Sequence, residues 1–364
     1  MGAFLGTLNA NEIFAGIFNM IISQQVYAKN IAGTFGSLVE RARVDGSLYG
    51  DTKLYYDTDA LKSRAWGGDN EAANLLSINR PADPECQAIE LNVFRQIDIT
   101  VDYYLTKRAW MDEGAFSSFT AVVLGWIRDT KRIYDATTYN AYIGTHVSGA
   151  LKNTITVTPT YGTDTSSADL EGAARIKAES VAKALADLFI ELKDVSRDFN
   201  DYQHLKSYDL EDLVVVWNSA IVNEIKKLDL PTMFHKEGLI EKFEDEILPS
   251  RYFGDLTAAS HTVAVGEDYR AIRETEITVG GTPYHLFAGD QYPVGAVIAA
   301  GDGYQVNSDI ICVVMHKDAV PFMSAFEVGT SFFNPRSLTE NHYLTWGHNE
   351  LEGLYHLPFI RLEF

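Results

Sequence analysis

His342, His348 and His356 fall close together near the C-terminus, and imidazole is the commonest protein ligand for metals. They stand six and eight residues apart in an extended stretch, with Gly347 and Gly353 between them. A metal pair on a helix needs ligands one turn apart, so this spacing reads as ordinary surface or core histidine. A second grouping, Glu244, Asp245 and Glu246, lies in GLIEKFEDEIL, which reads as a short helix. Adjacent helical residues point in different directions, so these carboxylates form a solvated face and not a paired acid and base. The apolar run LVVVW, Leu213–Trp217, is the kind of strand whose end carries the active site in α/β enzymes. No nucleophile or acid–base set accompanies it, and GxSxG, HExxH, P-loop and GxGxxG signatures are absent from the sequence. Cys86 and Cys312 sit in apolar or strand-like settings without CxxC spacing, which indicates neither a zinc site nor a disulfide framework and fits a reducing place of synthesis. The sequence therefore reads as a non-enzyme with no catalytic, cofactor-binding or metal residues. An α/β enzyme of unknown activity is the weaker alternative.

The elements that such residues would need are nevertheless well marked. The chain has 364 residues, enough for two domains or one large domain with excursions, and its 46% hydrophobic and 22% charged content is that of a folded protein. Thirty Lys and Arg face fifty Asp and Glu, a net charge of −20. Such a surface repels nucleic acid instead of grasping it, although an acidic wall facing packed DNA would keep the DNA from adhering. Aromatic residues make up 12% of the chain but are not interleaved with basic ones, which favours packing and interfaces over base stacking. No apolar run of membrane-spanning length occurs, the N-terminus lacks the basic region of a signal peptide, and Gly6 breaks a myristoylation pattern.

In order, residues 10–29 predict an amphipathic helix with Ile13, Phe14, Ile17, Phe18, Ile21 and Ile22 on one face. It either packs on its own domain or reaches a neighbouring subunit. KLYYDTDAL, Lys53–Leu61, predicts a strand, and 63–85 a loop tip. From Ile89 to Val101 apolar residues alternate with polar ones, interrupted only by Arg95, which predicts a strand roughly 40–50 Å long. Paired with Lys53–Leu61, it makes a two-stranded hairpin too exposed to stand alone, so its apolar face calls for a cover from outside the subunit. Gly114–Ile143 predicts one long helix of roughly 40 Å, with Phe116, Phe119, Val122, Val123, Trp126, Ile127, Ile133 and Tyr134 on its apolar stripe. Arg128, Asp129, Lys131, Arg132 and Asp135 fall mostly outside that stripe. Asn153–Thr160 predicts a short strand and Asp169–Phe199 a second helix. Leu213–Trp217 predicts a fully buried strand followed by a helix from Ser219, giving an α/β layer. Thr262–Val265, Glu276–Val279, Val294–Ile298 and Ile310–Met315 predict strands, with turns at Gly280-Gly281 and Gly301-Asp302-Gly303. The last residues, LPFIRLEF, predict a strand sewn into a sheet.

This order resembles the major capsid protein of tailed bacteriophages, the Hong Kong 97-like capsid fold. The hairpin KLYYDTDAL with IELNVFRQIDITV resembles the family's extended loop, and GAFSSFTAVVLGWIRDTKRIYDATTYNAYI its spine helix. The helix from Asp169 followed by DLVVVWNSAIVNEI resembles the axial domain, and SFFNPRSLTENHYLTWGHNELEGLYHLPFIRLEF the returning strands of the peripheral domain. The resemblance implies an α+β fold with an N-terminal arm (1–44), an extended β-hairpin loop (45–105), a peripheral domain with the spine helix (106–150 and 325–364) and an α/β axial domain (151–324).

It further implies a structural protein that self-assembles into hexamers and pentamers of an icosahedral shell around the viral genome. The extended loop would lie over an adjacent subunit and the N-terminal arm would reach another neighbour, placing Phe14, Phe18, Tyr55, Trp66, Leu91, Val93, Ile97 and Ile99 at the subunit interface. The stretch before the hairpin is too short for a fused scaffold domain, so a separate scaffolding protein is expected. Portal and other head proteins are further expected partners, and packaged DNA would be contacted non-specifically, with no membrane involved. Assembly would take place in the host bacterial cytoplasm and the product would be the virion capsid. Some members of the family crosslink a loop lysine to an asparagine of a neighbour, and Lys53, Lys62, Asn334 and Asn349 are placed for that by location. An encapsulin-like nanocompartment shell around cargo enzymes shares the architecture and is the alternative reading.

Overall fold

The computed structural model describes residues 36–45, 52–63, 78, 80–102, 113–160, 170–225 and 244–364. Its elements begin with α1 (Ser37–Ala42), β1 (Arg43–Asp45), β2 (Thr52–Asp57), β3 (Glu85–Glu90), β4 (Val93–Asp102) and α2 (Glu113–Thr145). Then come β5 (Thr154–Thr156), α3 (Leu170–Lys193), β6 (Leu213–Asn218), α4 (Ser219–Ile225) and β7 (Glu244–Leu248). Seven short strands follow: β8 (Gly254–Leu256), β9 (His261–Thr262), β10 (Tyr269–Ala271), β11 (Thr275–Val279), β12 (Thr282–Leu286), β13 (Val297–Ile298) and β14 (Gly303–Val306). The chain closes with β15 (Ile310–His316), β16 (Phe322–Asn334), β17 (Thr339–His348) and β18 (Phe359–Glu363). Two compact units form. Of the described residues, the first holds 36–45, 91–102, 113–136 and 323–350, and the second holds the rest.

The first unit is a four-stranded sheet, ordered β1-β16-β17-β4, against the first part of α2. This corrects the predicted long hairpin. The alternating run is broken at Leu91-Asn92, and only its first part, β3, pairs with β2. Its second part, β4, pairs in antiparallel register with β17, from Val93↔His348 to Asp102↔Thr339. The apolar face of β4 is therefore covered from within the chain: Ile97 and Ile99 pack with Leu344 and Trp346 of β17 on Ile127 and Tyr134 of α2. Arg95, the one interruption of the apolar row, belongs to the same face. Its guanidinium lies 5.2 Å from the centre of the Tyr134 ring and its Nε donates to the Tyr134 hydroxyl at 3.3 Å. The hydroxyl lies 3.0 Å from His348 Nε2, while His348 Nδ1 lies 2.7 Å from the Asn349 carbonyl oxygen. A carbonyl can only accept, so Nδ1 carries the proton and Nε2 accepts from Tyr134.

Asp135 departs from its predicted place outside the apolar stripe: it is only 2% exposed. Arg43 Nη2 at 3.3 Å and Lys131 Nζ at 3.2 Å neutralise it. Arg43 also meets Glu40 at 3.0 Å, and Lys131 meets Glu327 at 3.2 Å. The ion network thus ties α1, β1 and β16 to the helix.

The second unit is centred on a five-stranded mixed sheet, ordered β5-β18-β15-β6-β7. Strand β6 is buried at every position, as its continuous apolar sequence predicts. Leu213, Val215 and Trp217 share one core with Val181, Leu185, Leu188, Phe189 and Leu192 of α3 and Ile221 and Val222 of α4. The C-terminal strand β18 lies between β15 and β5, as expected from LPFIRLEF. Strand β7 is a second correction: Glu244, Asp245 and Glu246 belong to a strand parallel to β6, not to a helix. Backbone pairing with β6 outweighs the helical preference of glutamate. Ile247 and Leu248 complete the strand, and residues 238–243 of GLIEKFEDEIL lie outside the described residues. Strands β11 and β12 form a hairpin across Gly280 and Gly281, both at positive φ, as the turn signal predicts. Among the described residues no helix is long and apolar enough to cross a membrane.

Helix α2 spans 33 residues, matching the predicted Gly114–Ile143 at both ends to within two positions. Its last turns carry no charge after Asp135 and are buried on several faces, polar Thr137, Asn140 and Thr145 included. Thr145 Oγ1 donates to the Ala141 carbonyl at 2.7 Å and Tyr139 donates to the Val320 carbonyl at 2.9 Å, which satisfies these two hydroxyls. At Gly144 the backbone carbonyl of Tyr252 sits where a Cβ would be. Gly125, in the same helix, has nothing within 4 Å of that position. Alanine is intrinsically better in a helix than glycine by about 1 kcal/mol, so Gly125→Ala should be neutral or stabilising by up to that amount. Gly144→Ala should instead destabilise by about 1–3 kcal/mol, because the clash is with backbone. Urea denaturation of both variants checks this, and equal effects at the two positions would refute it.

His146 stacks on Tyr142 with ring centres 4.8 Å apart and meets Phe359 edge-on at 4.8 Å. Burial alone lowers its pKa from 6.5 to about 4. A depressed histidine costs nothing above the unfolded value, and the penalty for charging it grows as pH falls from 6.5 towards 4. Unfolding free energy should therefore drop over that window by up to about 3 kcal/mol. In His146→Gln the slope over the same window should be visibly shallower, measured by urea denaturation at pH 7, 5 and 4.

Candidate inter-subunit surface

Strands β2 and β3 pair in antiparallel register from Thr52↔Glu90 to Asp57↔Glu85. Residues directly opposite share a face, so the ribbon has an inner set, Lys53, Tyr55, Asp57, Gln87 and Ile89, and an outer set that includes Leu54, Tyr56, Cys86 and Ala88. The inner set is fixed by the ribbon's own unit. Ile89 is buried. Buried Gln87 donates to the Gly353 carbonyl at 2.9 Å and accepts from the Tyr355 amide at 3.0 Å. Tyr55 stacks on His356 with ring centres 6.3 Å apart. Burial raises the Asp57 pKa, but hydrogen bonds from Lys206 and His204 outweigh it and hold the carboxyl below its ordinary range. At Asp59, just beyond β2, the Leu205 amide and then Arg197 bring the carboxyl down to about 2. Outside, nothing described covers the apolar residues: Leu54 is 52% exposed and Tyr56 64%.

The four-stranded sheet has a second face that also carries apolar residues. Arg95, Ile97, Leu344 and Trp346 point to α2, so Phe94, Phe326, Val328, Phe332 and Tyr343 lie on the opposite face. Phe94 and Phe326 stack at 5.8 Å across Gly347, where a Cβ would come within 2.8 Å of the Phe94 ring. Towards the β16–β17 turn, Val328, Phe332, Phe333 and Leu338 are all exposed. Leu338 holds a left-handed φ of 54° at that turn, with the Asn334 side chain accepting from the Arg336 amide at 3.0 Å.

The residues expected at the interface from sequence separate into three groups. Phe14, Phe18 and Trp66 lie outside the described residues. Leu91 is fully buried within the chain, and Val93, Ile97 and Ile99 are half-buried, the latter two against α2. Tyr55 points inward to His356. The apolar row of β4 is thus a core row. Leu54, Tyr56, Phe332 and Phe333 are the exposed positions that the sequence reading passed over. In β2 each face carries one tyrosine, so alternation alone does not say which is outside, and a one-residue shift exchanges them. The crosslinking set is also reduced: Asn349 is fully buried, its Oδ1 accepting from the Met323 amide at 2.7 Å. His342, His348 and His356 each have different neighbours, and among the described residues no cluster suited to a metal ion occurs.

A family model for the Phi29-like phage major capsid protein matches residues 7–348. The chain is similar to a solved capsid structure of Staphylococcus phage Andhra, at 11% identity and TM-score 0.58, over 93% of this chain and 87% of that one. It is similar to a chain in a structure described as the head fiber and inner core protein gp22 of native bacteriophage P68, at 12% identity and TM-score 0.60, again over 93% and 87%. No curated protein matches it by sequence. The mixed α+β fold is that of phage capsid proteins. With its family model covering nearly the whole chain, the protein belongs to the Phi29-like phage major capsid proteins, structural proteins of the capsid shell.

Proposed function

We propose that the chain assembles with copies of itself, as hexamers and pentamers, into an icosahedral head that encloses packaged DNA. The observation that carries this reading is the two-faced β2–β3 ribbon: its inner face is fixed by polar contacts while Leu54 and Tyr56 are left to solvent. A chain does not gain by exposing a flat apolar ribbon unless another surface takes it up. In this reading the ribbon belongs to an extended loop (45–105) that lies on an adjacent subunit. Residues 1–44 form an arm to a further neighbour. The four-stranded sheet with the first part of α2 belongs to a peripheral domain, and the five-stranded sheet, which takes in β18 from the C-terminus, to an axial one. Assembly takes place in the host bacterial cytoplasm on a separate scaffolding protein, with portal and other head proteins completing the virion. The acidic surface is suited to holding DNA without adhesion.

The test uses expression alone and with a neighbouring scaffold gene, followed by sedimentation and electron microscopy. Closed shells are expected, and a stable monomer in both conditions would overturn the reading. Leu54→Asp with Tyr56→Asp should abolish particles while circular dichroism keeps the parent helix content. Ile97→Asp should behave differently and lose folded protein, because its side chain packs on the core of the first unit.

A further inference from the structure

Residues 196–206 form a loop that is rigid by construction. Ser196 and Lys206 exchange both backbone hydrogen bonds, each at 3.0 Å. Between them, fully buried Asn200 donates to the His204 carbonyl and accepts from the His204 amide, both at 2.9 Å. Gln203 is held at a left-handed φ of 55°, with its carbonyl accepting from Arg197 Nη1 at 2.7 Å. Tyr202 stacks on the His204 ring. The Asp201 amide donates to the Tyr355 carbonyl at 2.8 Å, which anchors the loop to the unit. Three basic side chains, Arg197, His204 and Lys206, are thereby presented by one pre-shaped segment.

Two carboxylates fill it. Asp57 Oδ1 lies 2.5 Å from Lys206 Nζ and Asp57 Oδ2 lies 2.7 Å from His204 Nδ1. Asp59 Oδ2 lies 2.7 Å from Arg197 Nη1, and its Oδ1 accepts from the Leu205 amide at 3.1 Å and the Ala60 amide at 2.8 Å. All four carboxylate oxygens are used, and both residues lie where the chain leaves β2. The other anchors of the ribbon are uncharged: Ile89 and Gln87 hold β3, and the Tyr55 ring of β2 stacks on His356. Both carboxylate anchors therefore act on the β2 side of the ribbon.

We propose that the 196–206 loop is a carboxylate receptor that fixes the direction of the β2–β3 ribbon, with Asp57 and Asp59 as positioning residues for its outward apolar face. The importance of that direction rests on the reading of the face as a contact with a second copy. When the two carboxylates are lost, β2 detaches while β3 stays, and Arg197, His204 and Lys206 lose their carboxylate partners.

Hydrogen exchange on full-length, unassembled subunits tests this. Asp57→Asn with Asp59→Asn should speed exchange of the β2–β3 amides by about tenfold, with the β15 amides of the central sheet unchanged. Raising salt from about 0.05 M to about 0.5 M should shift the unaltered protein the same way. Lys206→Arg should keep exchange slow, whereas Lys206→Met should not. Ribbon exchange unchanged in the double variant, or rising together with that of β15, overturns the proposal. Leu54→Ser with Tyr56→Ser leaves the receptor intact and should keep exchange slow while assembly is lost. Normal assembly of that variant would refute the contact reading and leave the receptor measured independently.

Discussion

Desolvating a lone carboxylate costs on the order of several kcal/mol unless cations come with it, and Asp135, buried on α2, is met by two. Arg43 comes from the first residue of β1 and Lys131 from one turn earlier on the helix. Each has a further partner, Glu40 and Glu327, so neither cation is left to face Asp135 alone. The effect is geometric. With Asp135 fixed towards Arg43, the helix has one rotational setting, in which Ile127 and Tyr134 meet Leu344 and Trp346 of the sheet. Rotation of the helix would strand the carboxylate and expose the aromatic contact together. The Arg95, Tyr134 and His348 chain pins the same setting from the sheet side with oriented hydrogen bonds.

The strands obey a matching rule of two faces. A strand sends alternate side chains to opposite sides, so covering one face by α2 consigns Phe94, Val328 and Phe332 to the other. The β2–β3 ribbon repeats this on a smaller scale, with Gln87 and Ile89 inside and Leu54 and Tyr56 outside. In both places the apolar residues left over are a consequence of folding the covered face. An assembly contact made from them uses surface that the fold of the subunit has already positioned.

Much of this was legible in the sequence because it is local. The 3.6-residue periodicity of α2 and α3 and the unbroken apolar run of β6 are properties of neighbouring residues, and the structure follows them. Pairing is not local. The partner of β4 is β17, from the far end of the chain, and alternation in β4 said only that one face was buried, not by what. Asp135 reads as lying outside the apolar stripe of its own helix, whereas its partner Arg43 lies on a different element. Glu244–Glu246 read as helix on propensity, yet pairing with β6 decides their state. For the ribbon, alternation does not say which face is exposed, since Tyr55 and Tyr56 differ only in register.

Edges add a constraint on how copies can meet. In the central sheet, one edge strand, β5, is only three residues long, and the other, β7, carries Glu244, Asp245 and Glu246. In the first sheet the edge strand β4 bears Asp98 and Asp102. Short or charged edges discourage pairing with a strand from another molecule. That matters for a chain that must crowd against its own copies, because edge-to-edge pairing has no closing geometry and runs to open aggregates. Side-chain faces differ in this respect: a contact built on Leu54 and Tyr56 has a shape, and a shape fixes an angle between copies. For a shell protein with a net charge of −20, general repulsion must be overcome at a few defined places. An apolar face on a ribbon that is itself held in direction would supply such a place, because contact energy there is gained only when the angle is right.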